Sequence, residues 1–476
     1  MKRIALITAG VVAIWAVNFY WSNLRGVWPG FLPDTNELVE QLPSDEFGPI
    51  ESNATDFPLS LKDGFSISIL AKDIEGARVM AFDSSGNLWV SQTSQNAITQ
   101  LEIKNGKVVS QKQVYRNLRR PHGLAFDPDN PSLLYIAEEH RISRVTINSN
   151  DTLHQIADLP AGGGHFTRTL GFGPDRRLYV SIGSSCNVCL EEDSRRAKIF
   201  SMRKDGSNFQ EVARGLRNSV FFTWHPVTRA MWATEMGRDL LGDNIPPDEI
   251  NIIQGGKNYG WPICYGKNIH DDSFDKNTYI RNPCMEPFEM ASHIDIQAHS
   301  APLGLAFMTG QNFPNAYQNN LLVAYHGSWN RSEPTGYKIV RYRFDQENIG
   351  GFSVEDFISG WLTSKNKVLG RPVDIVVRQG AIYISDDAAG LIYKVNYRNP
   401  ASAATKTPLP TPSTQVVADG CRVTGCSGQI CSDREVITTC EYKDEYACYQ
   451  NATCERQSNG QCGWTVTNWL NACLIQ

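Results

Sequence analysis

The sequence lacks an excess of charge of either sign. Its 476 residues carry 45 Lys and Arg against 50 Asp and Glu, a formal net charge of −5. Without a basic surplus the chain is poorly suited to neutralise many phosphates, which excludes a typical nucleic-acid-binding protein. Hydrophobic residues make up 41% of the chain, enough for a sizeable core, so a disordered protein is also excluded. The many Gly, Pro and aromatic residues favour strands joined by turns.

Several common catalytic motifs are also missing. The chain contains no GxSxG, no HExxH, no GxxxxGK[ST] and no GxGxxG after a strand. Leu190 follows Cys189, so the CxxC pair lacks the histidine of a covalent haem site. These absences exclude the enzyme classes that are built on those motifs.

The N-terminus of the chain contains a long run of apolar residues. Two basic residues precede a stretch from Ile4 to Trp21 that is typical of an export signal. Because no convincing Ala-x-Ala cleavage site follows, an inner-membrane anchor is favoured over a cleaved peptide. We interpret residues 1–22 as a signal or anchor segment and residues 23–57 as a spacer. A periplasmic or extracellular protein, possessing a membrane tether, is therefore expected.

Twelve cysteines are arranged in clusters that indicate disulfide bonds. Cys186 and Cys189 form a local pair, and Cys264 and Cys284 bracket a polar loop. The other eight lie in the last 56 residues, at Cys421, Cys426, Cys431, Cys440, Cys448, Cys454, Cys462 and Cys473. An even number in clusters predicts disulfides made in an oxidising compartment. Zinc is the competing interpretation, although the C-terminal cluster contains no histidine.

One pattern recurs six times within residues 58–398. Each copy has an apolar stretch, a turn of Asp, Pro, Gly or Asn, and a second β-rich triplet. The copies begin at Ala81, Leu124, Leu170, Trp224, Leu305 and Val373. This repeat predicts an all-β fold, a six-bladed β-propeller in which each copy is the inner hairpin of a blade. A large sandwich or an open antiparallel sheet is the alternative.

A second, smaller domain is expected at the C-terminus. Residues 399–420 are rich in Pro, Ser, Thr and Ala, a composition typical of a flexible linker. Residues 421–476 are too few for a strong core, so four disulfides would supply the stability that burial does not. The segment resembles the eight-cysteine modules of some secreted bacterial proteins, and adhesion, partner binding and protection are open roles for it.

A histidine behind three glycines is the main catalytic candidate. Gly162, Gly163 and Gly164 precede His165, which lets a planar ligand approach the backbone closely. A neutral imidazole at this position could take a proton from an alcohol. A structural histidine that caps a turn is the alternative.

Arginines form a second set of candidates. They lie at the entrances to different blades, at Arg78, Arg217, Arg331 and Arg371. Each alone is typical of a surface ion pair. Together they suit a ligand with several carboxylates, which arginine binds through paired hydrogen bonds. In the fourth copy, residues 234–251 form an oxygen-rich loop that suits Ca²⁺, with a merely solvated acidic loop as the alternative.

Taken together, these segments resemble the soluble glucose/sorbosone dehydrogenase family, propeller enzymes that use pyrroloquinoline quinone (PQQ). The resemblance extends from about Leu61 to Tyr397, and its most specific parts are residues 163–175, 215–218, 248–251, 255–262 and 371–374. The stretch 183–189 is more similar to the sorbosone-dehydrogenase-like branch. The resemblance implies an oxidoreductase that passes hydride from an aldose, a sorbosone-like aldehyde or a polyol to PQQ.

The resemblance also implies roles for single residues. His165 would be the general base, and Arg217 would stabilise charge on the quinone oxygen. The cofactor-binding set would be Arg78, Arg217, Asn218, Arg331 and Arg371. Backbone carbonyls of Gly237 and Arg238 would hold Ca²⁺, which polarises the quinone carbonyl. Tyr259, Trp261 and Trp329 are candidates for stacking on a sugar, with packing between blades as the alternative.

The chain departs from the family pattern at several positions. Met236 and Arg238 replace the Gln and Pro beside the metal-loop glycine, Gly164 stands where an Asp is common, and Val373 replaces a second arginine. Since the chain has no haem motif, electrons would leave through an external quinone or cytochrome. A non-catalytic propeller scaffold and a calcium-dependent lactonase are the competing hypotheses.

Overall fold

The computed structural model describes residues 2–20, 52–344 and 351–397, together with 420–425, 429–436, 438, 446–449, 452–467, 470–471 and 474. The chain forms two units, Met1–Arg398 and Asn399–Gln476. Most of the expected spacer and linker lies outside the described residues, as do Cys426, Cys440 and Cys473. The domain bounds inferred from the sequence stay a prediction.

The first unit begins with helix α1 (Lys2–Phe19) in the N-terminal apolar run. Among the described residues, no helix combines the length and apolar character needed to cross a membrane. Short 3₁₀ helices occupy Thr93–Gln95, Pro283–Met285 and Asn315–Tyr317. The other regular elements described in this unit are strands.

Six sheets of four or five strands are the blades of a propeller, and the predicted all-β fold is confirmed. The chain enters through β1 (Asn53–Ala54), β2 (Ser60–Leu61) and β3 (Phe65–Ala71). The first blade is β4 (Ala77–Phe82), β5 (Leu88–Gln92), β6 (Ala97–Lys104) and β7 (Lys107–Tyr115). The second is β8 (Gly123–Phe126), β9 (Leu133–Ala137), β10 (Arg141–Thr146) and β11 (His154–Asp158). The third is β12 (Leu170–Phe172), β13 (Leu178–Ile182), β14 (Lys198–Met202) and β15 (Gln210–Arg214).

The fourth blade carries an insertion between its outer strands. It is β16 (Phe222–Trp224), β17 (Met231–Glu235), β18 (Asp248–Ile253) and β21 (Ile294–Ile296), with the small hairpin β19 (Cys264–Tyr265) and β20 (Ile269–His270) inserted. The fifth is β22 (Pro302–Phe307), β23 (Leu321–Tyr325), β24 (Lys338–Phe344) and β25 (Phe352–Ser359), with β2 at its outer edge. The sixth is β26 (Pro372–Arg378), β27 (Ala381–Asp386) and β28 (Leu391–Tyr397), with β3 and β1.

The sixth blade closes the ring of blades. Its outer strand β3 comes from the start of the propeller sequence and pairs antiparallel with β28 at the end. A segment before the first blade thus completes the last one, which ties the two ends of the propeller together without leaving an open seam.

Inner strands are buried on both faces because each blade packs between two neighbours. Every residue of β5, β17, β22 and β23 is buried. Outer strands such as β7 are mostly exposed. Apolar clusters between blades, which include Trp89, Trp232 and Tyr342, therefore form the core that fixes the rim loops in position.

Disulfide bonds are present in both units, so the disulfide interpretation is confirmed for the cysteines described here. The propeller contains Cys186–Cys189 and Cys264–Cys284. The second unit contains the hairpins β29 (Arg422–Thr424) with β30 (Ile430–Ser432) and β31 (Cys454–Arg456) with β32 (Cys462–Trp464), and helix α2 (Tyr446–Tyr449). Its disulfides include Cys421–Cys462 and Cys431–Cys454, and Cys448 is also disulfide-bonded.

Candidate active site

The candidate residues lie at one end of the blades. In each antiparallel inner pair, the start of the first strand faces the end of the second, as for Ala77 with Gln92, Gly123 with Ala137 and Pro372 with Asp386. The segments before the first strands carry His165, Arg217 and Arg371, and the segments after the second strands carry Gly237 and Trp329. Repetition of one hairpin therefore brings distant parts of the sequence to one face of the propeller.

His165 is held in a defined orientation beside the end of β13. Its Nδ1 lies 3.1 Å from the carbonyl oxygen of Ser184 and 2.8 Å from the Ser184 hydroxyl. A carbonyl oxygen can only accept, so Nδ1 carries the proton of the neutral ring and Nε2 keeps its lone pair. Burial and the positive charges of Arg217, Arg168 and Arg196, opposed by the Ser184 hydrogen bond, lower the pKa of His165 to about 3. At neutral pH this ring is an uncharged proton acceptor.

Two glycines create the space for this arrangement. Gly163 has a φ of 83°, and a Cβ there would lie 2.7 Å from the Cα of Ser185. A Cβ on Gly183 would lie 2.6 Å from the Cβ of His165. Larger residues at these positions would push the histidine segment away from β13.

Arg217 is 4% exposed and binds the loops of two blades. Its Nε donates to the carbonyl oxygen of Asn187 at 2.8 Å, and one Nη donates to the Asn187 side chain at 2.8 Å and to Asp239 at 2.9 Å. The backbone carbonyl of Arg217 accepts from Ser184 N at 2.7 Å, which joins it to the His165 support. His165 and Arg217 therefore form one connected group.

Arg78 and Arg371 belong to a second group, built around Asp387. Arg78 donates to Asp387 at 2.7 Å, and His326 Nε2 lies 2.9 Å from the other carboxylate oxygen. Arg371 donates to the carbonyl oxygens of His326 and Gly327 at 3.2 and 2.7 Å. Although burial opposes it, contact with His326 and Arg78 holds the pKa of Asp387 well below its usual range. Burial and the charge of Arg371 lower the pKa of His326 to about 4.

A cavity of about 260 Å³ is lined in part by the second group. Its lining includes Arg78, Asp387 and Phe166, the residue that follows His165. Arg120 also lines it and stacks over the Phe166 ring at 4.7 Å from the ring centre. This is a concave, cationic site of a size suited to a small acidic ligand.

The loop expected to hold a metal ion is anchored by buried carboxylates. Gly237 N donates to Asp248 at 2.9 Å, and the Arg238 side chain donates to Asp271 at 2.7 Å. Nearby, Asn218 N donates to Glu235 at 2.8 Å. The side-chain oxygen of Asn218 and one carboxylate oxygen of Glu235 are buried without a hydrogen-bond partner among the described residues. Unpaired oxygen donors at this loop fit a hard cation such as Ca²⁺.

Other candidates are placed differently. Tyr259 is 5% exposed, packs in the core with residues of β14 and β17, and donates its hydroxyl to Ile252 O at 2.7 Å. Its ring is not available to stack on a sugar, and core packing is the alternative that the structure supports. Arg331 donates to Asn244 at 3.2 Å and binds the 240s loop rather than the Asp387 group. Trp261 and Trp329 are partly exposed, and Trp261 Nε1 donates to Asn187 O at 3.3 Å.

Some of the residues that organise the site were not predicted as site residues from the sequence. Asn187, Asp239 and Asn330 form a chain, in which Asn330 donates to Asp239 at 2.9 Å and Asp239 N donates to Asn187 at 2.7 Å. Asn187 lies inside the CxxC segment, which is a local signal that could have drawn attention to it. Asp239 lies in the oxygen-rich loop 234–251, but that pattern suggests a metal site and not a contact with Arg217. Asn330 carries no local signal, because its bond to Asp239 joins different blades.

Comparison with known proteins fits this geometry. The sequence profile of the TrAA12-like family matches residues 59–398. An uncharacterized protein of Borreliella burgdorferi is 35% identical over 358 residues, which cover 71% of this chain and 91% of that protein. Quinoprotein glucose dehydrogenase B of Acinetobacter calcoaceticus is 21% identical over 357 residues, 62% of this chain and 73% of that enzyme. The holo PQQ domain of Coprinopsis cinerea pyranose dehydrogenase aligns with a TM-score of 0.61 at 21% identity, covering 71% of this chain and 97% of that domain.

The fold and the comparisons define a propeller of the PQQ-dependent sugar dehydrogenase type. The chain belongs to the TrAA12-like family. The resemblance and the oxidoreductase class that it implied are thereby confirmed.

The residues present fit PQQ, a planar tricarboxylate. Arg78, Arg217 and Arg371 supply positive charge on one face, and the buried Nε of Arg78 has no partner among the described residues. An unpaired buried donor of this kind is costly unless a ligand or water satisfies it. The arginine set therefore fits an acidic cofactor.

Proposed function

We propose that this protein is an exported, PQQ- and calcium-dependent dehydrogenase that oxidises an aldose, a sorbosone-like aldehyde or a related polyol. The observation that carries the proposal is the neutral His165, which is held against Ser184 in the same group as Arg217. The residue that follows it, Phe166, lines a cavity together with Arg78 and Arg120. A neutral base beside a cationic pocket suits proton removal from an alcohol at an anionic cofactor.

His165 acts as the general base in this proposal. With Nδ1 bound to Ser184, Nε2 is the atom that takes the hydroxyl proton of the substrate. Bound PQQ supplies the hydride acceptor, and bound Ca²⁺ polarises its carbonyl group. Arg217, which is fixed by Asn187 and Asp239, would stabilise negative charge on the quinone oxygen of the bound cofactor.

Arg371 and Arg78 bind the carboxylates of the cofactor in this proposal. Both are preoriented, Arg371 by the carbonyl oxygens of residues 326 and 327 and Arg78 by Asp387. Asn218, which follows Arg217 in the sequence, is a further member of the proposed cofactor-binding set. Arg331 is the weakest member of this set, because its guanidinium binds the 240s loop.

Carbonyl oxygens of Gly237 and Arg238 are the proposed protein ligands of Ca²⁺. Support comes from the anchoring of this loop on Asp248 and Asp271 and from the unpaired buried oxygens of Asn218 and Glu235. Trp261 and Trp329 remain the proposed sugar-stacking residues, since both rings are partly exposed.

The surroundings of the enzyme also belong to the proposal. Disulfides in both units support folding in an oxidising compartment, either periplasmic or extracellular. An N-terminal membrane tether is a further part of the proposal. Electrons pass to an external quinone or cytochrome. Residues 1–22, 23–57, 58–398, 399–420 and 421–476 are the proposed leader, spacer, propeller, linker and cysteine module.

Dye reduction by the purified protein tests the proposal. The protein is loaded with PQQ in the presence or absence of Ca²⁺ and assayed with a panel of aldoses, sorbosone and polyols. We expect reduction that requires both PQQ and a substrate, and that is lost when Ca²⁺ is removed by a chelator. Absence of reduction with every compound, despite bound PQQ, would contradict it.

A further inference from the structure

The Cys186–Cys189 disulfide closes a very short loop directly after strand β13. The bond joins residues separated by three positions and encloses only Asn187 and Val188. The carbonyl oxygen of Cys186 accepts from the Ser184 hydroxyl at 2.7 Å, and Ser184 also contacts His165. The loop is therefore fastened to the support of the proposed base.

Asn187 uses its backbone and its side chain to bind three other residues. Its carbonyl oxygen accepts from Arg217 Nε at 2.8 Å and from Trp261 Nε1 at 3.3 Å. Its side-chain oxygen accepts from Arg217 Nη2 at 2.8 Å and from Asp239 N at 2.7 Å, and its side-chain nitrogen donates to Asp239 O at 3.1 Å. Asp239 in turn binds Arg217 Nη2 at 2.9 Å. Arg217, Asn187 and Asp239 thus contact one another in a closed triangle.

This triangle determines which way the Arg217 guanidinium points. An arginine has five N–H donors. In the described contacts Nε and both hydrogens of Nη2 bind Asn187 and Asp239, and Nη1 binds Met236 O at 3.3 Å. One N–H, on Nη1, is left for a ligand. Because a guanidinium is planar, fixing Nε and Nη2 also fixes the direction of this remaining donor.

We propose that Asn187 is a positioning residue for Arg217 and that the Cys186–Cys189 disulfide keeps Asn187 in place, so that loss of either slows turnover much more than it weakens PQQ binding. The inference rests on the proposed function, because it assigns Arg217 to charge stabilisation at the cofactor. It goes beyond that function by giving a task to the CxxC segment, which is to hold Asn187 against Arg217.

Kinetics of an Asn187→Ala variant test the inference, with Val188→Ala as the matched control. Val188 lies in the same disulfide loop but its side chain forms no hydrogen bond. Removing the amide takes away one of the two acceptors of Nη2 and the acceptor of Asp239 N, although the bonds of Arg217 to the Asp239 carboxylate and to the carbonyl oxygen of residue 187 remain available. A guanidinium displaced by the loss of these two bonds is expected to lower kcat by about 100-fold. KM for the sugar and Kd for PQQ should change by less than about threefold, and Val188→Ala should behave like wild type. Equal losses of kcat in the two variants, or a loss confined to Kd, would overturn the inference.

A double-mutant cycle separates positioning from general damage to the fold. In an Arg217→Ala background the Asn187→Ala change should cost no further kcat, since its effect passes through Arg217. A full additional loss would show that Asn187 acts by another route. Asn187→Asp keeps the oxygen that binds Arg217, so it should retain more turnover than Asn187→Ala.

The disulfide is tested by Cys186→Ser/Cys189→Ser, with Cys431→Ser/Cys454→Ser in the second unit as the control. We expect the first pair to reproduce the kcat loss of Asn187→Ala and the control pair to keep wild-type turnover. Wild-type kcat in the first pair would overturn the role of the disulfide.

A crystal structure of the Asn187→Ala variant tests this inference independently of the proposed function. In Asn187→Ala the Arg217 guanidinium should leave its position against Asp239, whether or not the wild-type protein oxidises sugars. An unmoved guanidinium would refute positioning even in an active enzyme. A wild-type protein without PQQ-dependent turnover would refute the proposed function alone.

Discussion

The low pKa of His165 leads to a pH dependence unlike that of an ordinary histidine. Burial and the positive charge of Arg217 lower the pKa of this ring from 6.5 to about 3. A base with a pKa of about 3 stays about 99% neutral at pH 5, whereas a histidine with a pKa of 6.5 would be about 3% neutral. Between pH 7 and pH 5 an ordinary histidine base would therefore lose about 25-fold in kcat/KM, and His165 should lose almost nothing.

The assay measures kcat/KM of the PQQ-loaded protein from pH 4.5 to pH 8, with circular dichroism at each pH to verify the fold. We expect a flat acid side down to about pH 5. His165→Ala should lower kcat by about 10²- to 10⁴-fold while PQQ still binds. An acid limb with its midpoint near pH 6.5, or full turnover in His165→Ala, would refute the reasoning.

The lowered pKa of His165 also makes the stability of the folded protein depend on pH. The unfolded histidine binds a proton below pH 6.5, whereas the folded one does not until about pH 3. The unfolded state therefore binds more protons in this window, and His165 contributes stability that is lost as the pH falls from 6.5 towards 3.

Three further predictions concern side chains that join the blades. Asp374 accepts hydrogen bonds from Met80 N and from Ile375 N, both at 2.8 Å. Asp374→Asn should leave one buried N–H unpaired and lower the free energy of unfolding by about 1–3 kcal/mol, measured by urea unfolding. An unchanged unfolding midpoint would contradict this prediction. Asp387→Asn removes the carboxylate shared by Arg78 and His326. We expect the free energy of unfolding to fall by about 3 kcal/mol in the same assay, and an unfolding curve identical to that of the wild type would contradict this. Arg371→Ala should raise the Kd for PQQ about 10- to 100-fold by titration, whereas the exposed-site control Arg343→Ala should leave it unchanged; equal Kd values for the two variants would remove Arg371 from the cofactor site.

The part of the fold that the sequence predicts well is the inner hairpin of each blade. Strands such as β5 and β23 are buried on both faces between neighbouring blades, so their apolar residues form continuous runs. Outer strands such as β7 face solvent and carry a weaker pattern. Closure by β3 with β28 could not be predicted from local pattern, because it joins segments about 320 residues apart in this chain.

The candidate site was also predictable only in part, because the sequence shows local motifs but not contacts between distant segments. His165 and Arg217 stand in glycine-bearing motifs next to inner strands, and these local signals survive in the sequence. The partners that orient these residues carry no comparable signal. Asp239 reaches Arg217 from a loop 22 residues further along the chain, and Asp387 in the last blade reaches Arg78 in the first. Tyr259 was a candidate for stacking on a sugar, but its ring packs in the core. The sequence alone does not show whether an aromatic residue in such a motif faces a ligand or the core.

The central claim is that this propeller transfers electrons from a sugar to bound PQQ. The most direct test is the absorbance spectrum of the PQQ- and Ca²⁺-loaded protein, recorded without oxygen before and after addition of each sugar in the panel. The account predicts that at least one aldose, sorbosone or polyol converts the bound cofactor to its reduced spectrum within a single turnover, and that His165→Ala slows this conversion. A cofactor that binds but stays oxidised with every compound would contradict the account.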